Sequence, residues 1–285
     1  MSFLKAQSLE IKLQVKNLSK IYTRNDTSSH TVLNNINIDV KNGEFVTIVG
    51  PSGCGKTTLL NILGGLENSS AGEIQIDGKI VNPLTPDRIV VFQEAALFPW
   101  LTVLENVEFG LQIKGISKNE RSKIAMHYIE MVQLSEFANA YIHQLSGGMK
   151  QRVAIARAFA LNPSILLMDE PFAALDVKTR TMLHHQLLQI QKNNNKTILF
   201  VTHNINEAVY LGDRVIVLSA NDGNIKKEFI VDLPRPRSLD HPIIESITHA
   251  IIEESKQAAD FHSDKREDDD DKIANTIATA AAATT

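Results

Sequence analysis

Cysteine is nearly absent: Cys54 stands alone in 285 residues. No intramolecular disulfide can form, which fits a reducing compartment. Also missing is any apolar run near the ~18–20 residues needed to span a bilayer. The chain is therefore expected to be soluble, while free to dock on a membrane protein. Met1 to Gln14 has no continuous apolar segment with a small-residue cleavage site, so no secretory signal is read there. An excess of positive charge is lacking as well. The formal net charge is −4, so bulk nucleic-acid binding is not expected. No internal repeat and no heptad run is visible. What remains is ordinary for a globular protein: 43% hydrophobic and 22% charged residues, in a chain long enough for one large or two modest cores.

Local patterns suggest an α/β core interrupted by helices. Ile11 to Val15 and Lys20 to Tyr22 read as short strands, followed by a polar loop from Thr23 to His30. Thr31 to Val40 alternates, with Val32, Ile36, Ile38 and Val40 on the expected inner face. Phe45 to Val49 is a β-branched run that leads into a glycine-rich loop, and Thr57 to Leu63 reads as a helix stopped by Gly64-Gly65. Glu73 to Ile76 and Lys79 to Val81 read as a hairpin around Asp77-Gly78, and Arg88 to Phe92 as a further strand. From Val103 to about Phe159 the period is helical. Ser117 and Glu120 have capping-box spacing, and Ile124, Tyr128 and Met131 share a helical face. Sheet patterning resumes at Ile165 to Met168, Ile198 to Val201 and Val215 to Leu218. The first two are nearly all apolar, as central parallel strands covered on both faces would be. Beyond about Pro242 the pattern weakens. Residues 264–272 are a charge cluster and 273–285 are rich in Ala and Thr, which reads as a disordered tail.

Three motifs carry chemistry. Gly50-Pro51-Ser52-Gly53-Cys54-Gly55-Lys56-Thr57 matches G-x-x-x-x-G-K-[ST] between a strand and a helix. Its glycines let backbone N–H groups approach phosphate oxygens, and the helix N-terminus favours an anion. Lys56 would reach the β- and γ-phosphates of ATP, and the Thr57 hydroxyl would ligate Mg²⁺. An accidental match arises in roughly one chain of this size per hundred, and the strand–loop–helix setting lowers that further. Cys54 lies in this loop, where a helix N-terminus could lower its thiol pKa. The simpler reading is a small side chain at a permissive position.

The second motif is the apolar strand ending in Asp169-Glu170. An acid at that edge suits the outer shell of Mg²⁺, and Glu170 would polarise an attacking water. The third is Leu145-Ser146-Gly147-Gly148-Met149-Lys150-Gln151-Arg152, a second glycine-rich turn that opens a helix. One triphosphate does not need two such sites in one chain. A symmetric dimer, each turn facing the partner's nucleotide, explains both. The bare alternative is a capped helix after a Gly-Gly turn. His184-His185 brings no second ligand cluster and is read as an exposed helix face.

In this order the motifs resemble those of ATP-binding-cassette (ABC) ATPases over about residues 12 to 235. The resemblance implies a P-loop NTPase core of ABC type, with an N-terminal antiparallel β subdomain and a helical insertion. It implies an ATPase domain over 12–242, with the helical part at about 94–160, and a C-terminal extension over 243–285. It adds roles. Tyr22 matches the aromatic residue that stacks on adenine, beside the phosphate-binding run Gly50 to Thr58. Gln93 matches the glutamine that contacts Mg²⁺ and the attacking water. Ala174-Leu175-Asp176 matches the D-loop, and His203 the histidine that contacts the γ-phosphate. The metal set is then Thr57, Gln93 and Asp169, and the set acting in trans is Ser146, Gly147, Gly148 and Gln151.

The wording of Val91-Phe92-Gln93-Glu94, Phe98-Pro99-Trp100, Asn106-Val107 and Leu233-Pro234-Arg235-Pro236-Arg237 resembles the ATPase subunits of nitrate/sulfonate/taurine-type importers. That implies a homodimer at the cytoplasmic face of the inner or plasma membrane, a separate integral membrane permease and, indirectly, a periplasmic or extracellular substrate-binding protein. Leu97 to Leu101, unusually apolar for a loop, is either local core or a surface for that permease. Ala173 and Met149 stand where such proteins more often have Gly and Gln. ABC proteins that move lipids, drive export or act on ribosomes or DNA are the alternatives, the last usually having two cassettes or a coiled coil.

Overall fold

A computed structural model of the chain describes residues 10–23, 29–81, 87–219 and 223–256. The first part runs Ile11–Thr23 (β1), Ser29–Lys41 (β2), Phe45–Val49 (β3), Lys56–Leu63 (α1), Ala71–Ile76 (β4), Lys79–Ile80 (β5) and Arg88–Val91 (β6). Helices Val103–Ile113 (α2), Lys118–Met131 (α3) and Gly147–Ala160 (α4) follow. The rest runs Ile165–Asp169 (β7), Val177–Asn194 (α5), Thr197–Val201 (β8), Ile205–Leu211 (α6), Arg214–Leu218 (β9), Ile225–Ile230 (β10) and a helix over 242–256 (α7). Among the described residues no helix is long and apolar enough to cross a membrane.

The first sheet is antiparallel, in the order β2-β1-β4-β5. β1 is one strand of 13 residues where the pattern suggests two. The interruption is a bulge: Asn17 has φ 50° and the register shifts between Val15 and Leu18. β2 is interrupted likewise at Asn35, φ 51°. This moves Leu33 to the inner face, fully buried, and leaves Val32 half-buried, the reverse of the simple alternation.

The second sheet has the order β10-β9-β3-β8-β7-β6, all parallel except β10. β3, β7 and β8 are buried at every residue because both faces are covered. Ile165, Leu167, Leu199 and Val201 point toward the antiparallel sheet and α1, whereas Leu166, Met168, Ile198 and Phe200 point toward the helices.

In the helical part, the capping box expected at Ser117 is not formed: Ser117 makes no side-chain cap bond. The box belongs instead to α2, where Thr102 accepts from the Glu105 N–H at 3.3 Å and the Thr102 N–H donates back to Glu105 at 2.8 Å. Beyond Pro242, where the sequence pattern weakens, a helix forms. α7 lays Ile244, Ile247 and Ile251 against Val215, Val217 and Val231. Before it, the buried Arg237 donates to the carbonyls of Val209, Val231 and Leu233. Burial and the neighbouring Arg235 lower its pKa to about 10. The tail read as disordered from about residue 260 lies outside the described residues.

Candidate nucleotide site

β3, β8, β7 and β6 lie side by side and run parallel. Their C-terminal ends therefore bring together four segments remote in sequence: the Gly50–Thr57 loop, His203, Glu170 and Gln93. Ser52, Gly53, Gly55, Lys56, Thr57, Thr58, Gln93, Glu170 and His203 line one cavity of about 650 Å³, with Val32 of β2 on its wall. Ligands of open α/β sheets bind at this edge of the strands.

The loop needs its glycines for two reasons. Gly53 has open space around it but φ +80°, and Gly55 has φ +96°. A Cβ on Gly55 would also lie 2.8 Å from Leu33 and 2.9 Å from the Val32 carbonyl. Gly55 then caps α1 without a side chain, so the first-turn N–H groups are left for an anion. Lys56 Nζ curls over the loop and donates to the carbonyls of Gly50 and Pro51, both at 2.8 Å. Cys54 is buried beneath, and burial raises its thiol pKa despite the Lys56 charge, so the small-side-chain reading stands.

The acidic end is more constrained. Glu170 follows β7 with a left-handed backbone, φ 44°, its N–H bonded to the Val201 carbonyl at 3.0 Å. Such a conformation is uncommon for a residue with a side chain and clusters at functional sites. Glu170 Oε2 accepts from His203 Nδ1 at 2.8 Å, while the histidine ring remains 68% exposed. Asp169 is buried. Burial, with a smaller push from Glu170, raises its pKa, against a hydrogen bond from Thr57 and the charge of Lys56. The Thr57 hydroxyl, the Asp169 carboxylate and the Gln93 side-chain carbonyl offer oxygen donors only. That set, with a buried acid seeking a counter-charge, fits a hard divalent cation such as Mg²⁺.

Tyr22 is the last residue but one of β1, its hydroxyl donating to Glu67 and the Lys20 ammonium lying 4.8 Å from its ring centroid. Ser146 caps α4 by accepting from the Met149 N–H at 3.3 Å. A Cβ on Gly147 would meet no atom within 4 Å, whereas Gly148 packs against Ala174 and Leu175. The second glycine-rich turn is thus open on one side and seated on the D-loop segment on the other. Asp176 caps α5, accepting from the Thr179 N–H at 3.0 Å, which lowers its pKa. Gln151 departs from the expectation of a contact in trans. It is buried, and its amide donates to the Phe92 carbonyl of the same chain at 2.9 Å, bracing the strand end before Gln93.

Two readings of loose side chains change. His184 is not part of an exposed face: it is buried and its Nε2 lies 2.8 Å from Glu207. Only His185 is exposed. The segment from Leu97 to Leu101 is both core and surface. Asn106, fully buried, accepts from the Phe98 N–H at 2.9 Å and donates to the carbonyls of Phe98, Leu101 and Thr102. Trp100 is left 70% exposed. Phe98 and Phe109, 4.5 Å between centroids, border a groove of about 400 Å³ with Ile113, Arg157 and Leu161.

This geometry has known counterparts. A family model described as ABC transporter matches residues 33–173. An ABC transporter ATP-binding protein of Methanocaldococcus jannaschii is 54% identical over 233 residues, 82% of this chain and 87% of that protein. The chain belongs to the ABC transporter ATP-binding family. A nitrate import ATP-binding protein of Synechocystis is 46% identical over 222 residues, 78% of this chain and 83% of that protein. Among solved structures, a dimeric ATP-binding cassette in a post-hydrolysis state with ADP and Pi superposes with TM-score 0.73 at 41% identity, covering 78% of this chain and all of that one. This ABC protein is accordingly a nucleotide-binding transport ATPase. Sequence reasoning named the motif residues but gave Val32 and Asn106 no place in a site or a loop brace, and read the buried His184 as exposed. For Asn106 the signal was present, in the Thr102-x-x-Glu105 box that starts its helix.

Proposed function

We propose that this ABC ATPase energises import of a small anion of the nitrate, sulfonate or taurine class through a separate membrane permease. The observation that carries the ATPase chemistry is the meeting of the Gly50–Thr57 loop, Gln93, Glu170 and His203 at one sheet edge. Its counterpart is a second glycine-rich turn in which a Cβ on Gly147 would meet no atom of the described residues within 4 Å. Two copies then sandwich two ATP molecules. Tyr22 holds adenine, Lys56 and the loop amides hold phosphates, and Ser146, Gly147 and Gly148 of the opposite copy reach the γ-phosphate. Glu170 takes the proton of the attacking water while His203 orients Glu170 and the γ-phosphate. Positioning and charge stabilisation supply most of the rate. Mg²⁺, held by Thr57, Gln93 and Asp169, would neutralise phosphate charge.

The importer reading is supported by the 46% identity to the nitrate import protein and by the groove between Phe98 and Phe109, which offers apolar surface to a permease helix. The protein then sits at the cytoplasmic face of the membrane, and a substrate-binding protein acts from the other side. Co-expression with candidate permeases tests this. The assembled complex should hydrolyse ATP faster, by about tenfold, when a binding protein loaded with nitrate, a sulfonate or taurine is added. A complex stimulated only by an unrelated solute or a lipid would refute the substrate class.

A further inference from the structure

Behind the Glu170–His203 pair runs a buried polar chain with no part in the cycle described above. Thr202, the residue before His203, donates from Oγ1 to Glu207 Oε2 at 2.5 Å and accepts from the Asn204 N–H at 3.0 Å. The other carboxylate oxygen of Glu207 lies 2.8 Å from His184 Nε2. A carboxylate only accepts, so Nε2 carries the proton. Thr202, Glu207 and His184 are 2%, 8% and 9% exposed.

The imidazole also faces the other wall of the site. Its ring packs edge-on against Phe172, 5.1 Å between centroids, and lies 5.8 Å from Tyr210. Phe172 stands two residues after Glu170, inside the turn closed by the Ala173 N–H on the Glu170 carbonyl at 3.2 Å. One side chain thus touches the Glu170 turn by ring contact and reaches the His203 loop through Glu207 of α6, which accepts from Thr202.

Burying three polar groups is unfavourable unless every partner is in place. An apolar side chain would fill the space between α5 and α6 without that risk. What a directional chain adds is a fixed separation. His203 is largely exposed and Glu170 holds an uncommon backbone conformation, so each depends on the frame behind it. That frame continues along α5 to its cap, Asp176, in the segment seated against Gly148.

We propose that His184 is a positioning residue for hydrolysis. With Glu207 and Thr202 it holds His203 at hydrogen-bond distance from Glu170, and through α5 it links that distance to the segment beside the partner-facing turn. The inference rests on the reading that Glu170 and His203 serve hydrolysis.

Steady-state ATPase assays on the full-length protein, with ATP affinity measured separately, test it. His184→Leu keeps bulk and removes the donor, and His184→Gln keeps a donor. The leucine variant should lose at least about tenfold in kcat with KM within about twofold, and the glutamine variant should recover to within about threefold of the parent. Thr202→Val cuts the same chain at another link and should reproduce the leucine phenotype. It decides the question if His184→Leu does not fold. The double variant should be no worse than either single one. Normal kcat in His184→Leu or Thr202→Val overturns the proposal. So does an equal loss in the leucine and glutamine variants with kcat and KM failing together, which is the mark of packing alone. Glu170→Gln serves as the control. If that variant turns over normally, the site reading has failed rather than the role of His184.

Discussion

The two glycine-rich turns look alike in sequence. Both place small residues before a helix, Gly55 before α1 and Ser146 before α4. Their surroundings differ. Around the first stand a lysine folded over the loop, a threonine bonded to a buried acid, a glutamine, a glutamate and a histidine. Around the second, Ala174 and Leu175 lie nearest to Gly148, and a Cβ on Gly147 would meet none of the described residues within 4 Å. On the proposed reading the first is a reaction site and the second is one wall of another. Anion-binding backbone alone does not make a catalytic centre. It also needs groups that place water and stabilise charge.

Four substitutions probe this contrast. Glu170→Gln should lower turnover at least about 100-fold, the usual effect of losing a general base, with ATP affinity unchanged by titration. Near-normal turnover would remove the distinction between the turns. Lys56→Ala should weaken ATP binding by about 10- to 100-fold, from the loss of a charge-assisted bond worth about 1.5–3 kcal/mol. Equilibrium binding to single chains measures it. Gly147→Leu is the sharpest comparison. The space around Gly147 is free, so fold and per-chain affinity should stay as they are. Turnover should fall on the order of tenfold, because a partner's nucleotide needs that space. Loss of affinity in dilute single chains would mean the turn already belongs to its own chain's site. Asn106→Leu should leave per-molecule turnover within about twofold. It should cost about 2 kcal/mol of stability, since the buried Phe98 N–H loses its acceptor. Thermal unfolding reads that change.

Much of the site was legible, and for a physical reason. Phosphate chemistry needs particular residue types at fixed spacing, so Lys56, Thr57 and Glu170 announce themselves, whereas Gln93 and His203 came only with the family resemblance. The order of strands that unites them was not. β6, β7, β8 and β9 are all runs of four or five mostly apolar residues, and nothing in such a run names its neighbour. Strand bulges at Asn17 and Asn35 broke the two-residue period by which β1 and β2 were read. His184 was misplaced because its burial comes from Glu207, 23 residues later on another helix. α7 was missed because it commits only a thin stripe, Ile244, Ile247 and Ile251, to the core.

The bare side of Gly147 has a kinetic consequence. If the wall for one chain's γ-phosphate is always another chain, hydrolysis is second order at low concentration. The rate per molecule should rise with protein concentration until dimers saturate. A chain alone holds its nucleotide and waits. A permease that holds two copies side by side would then act as a concentrating device, raising the local encounter frequency and letting the membrane decide when ATP is used.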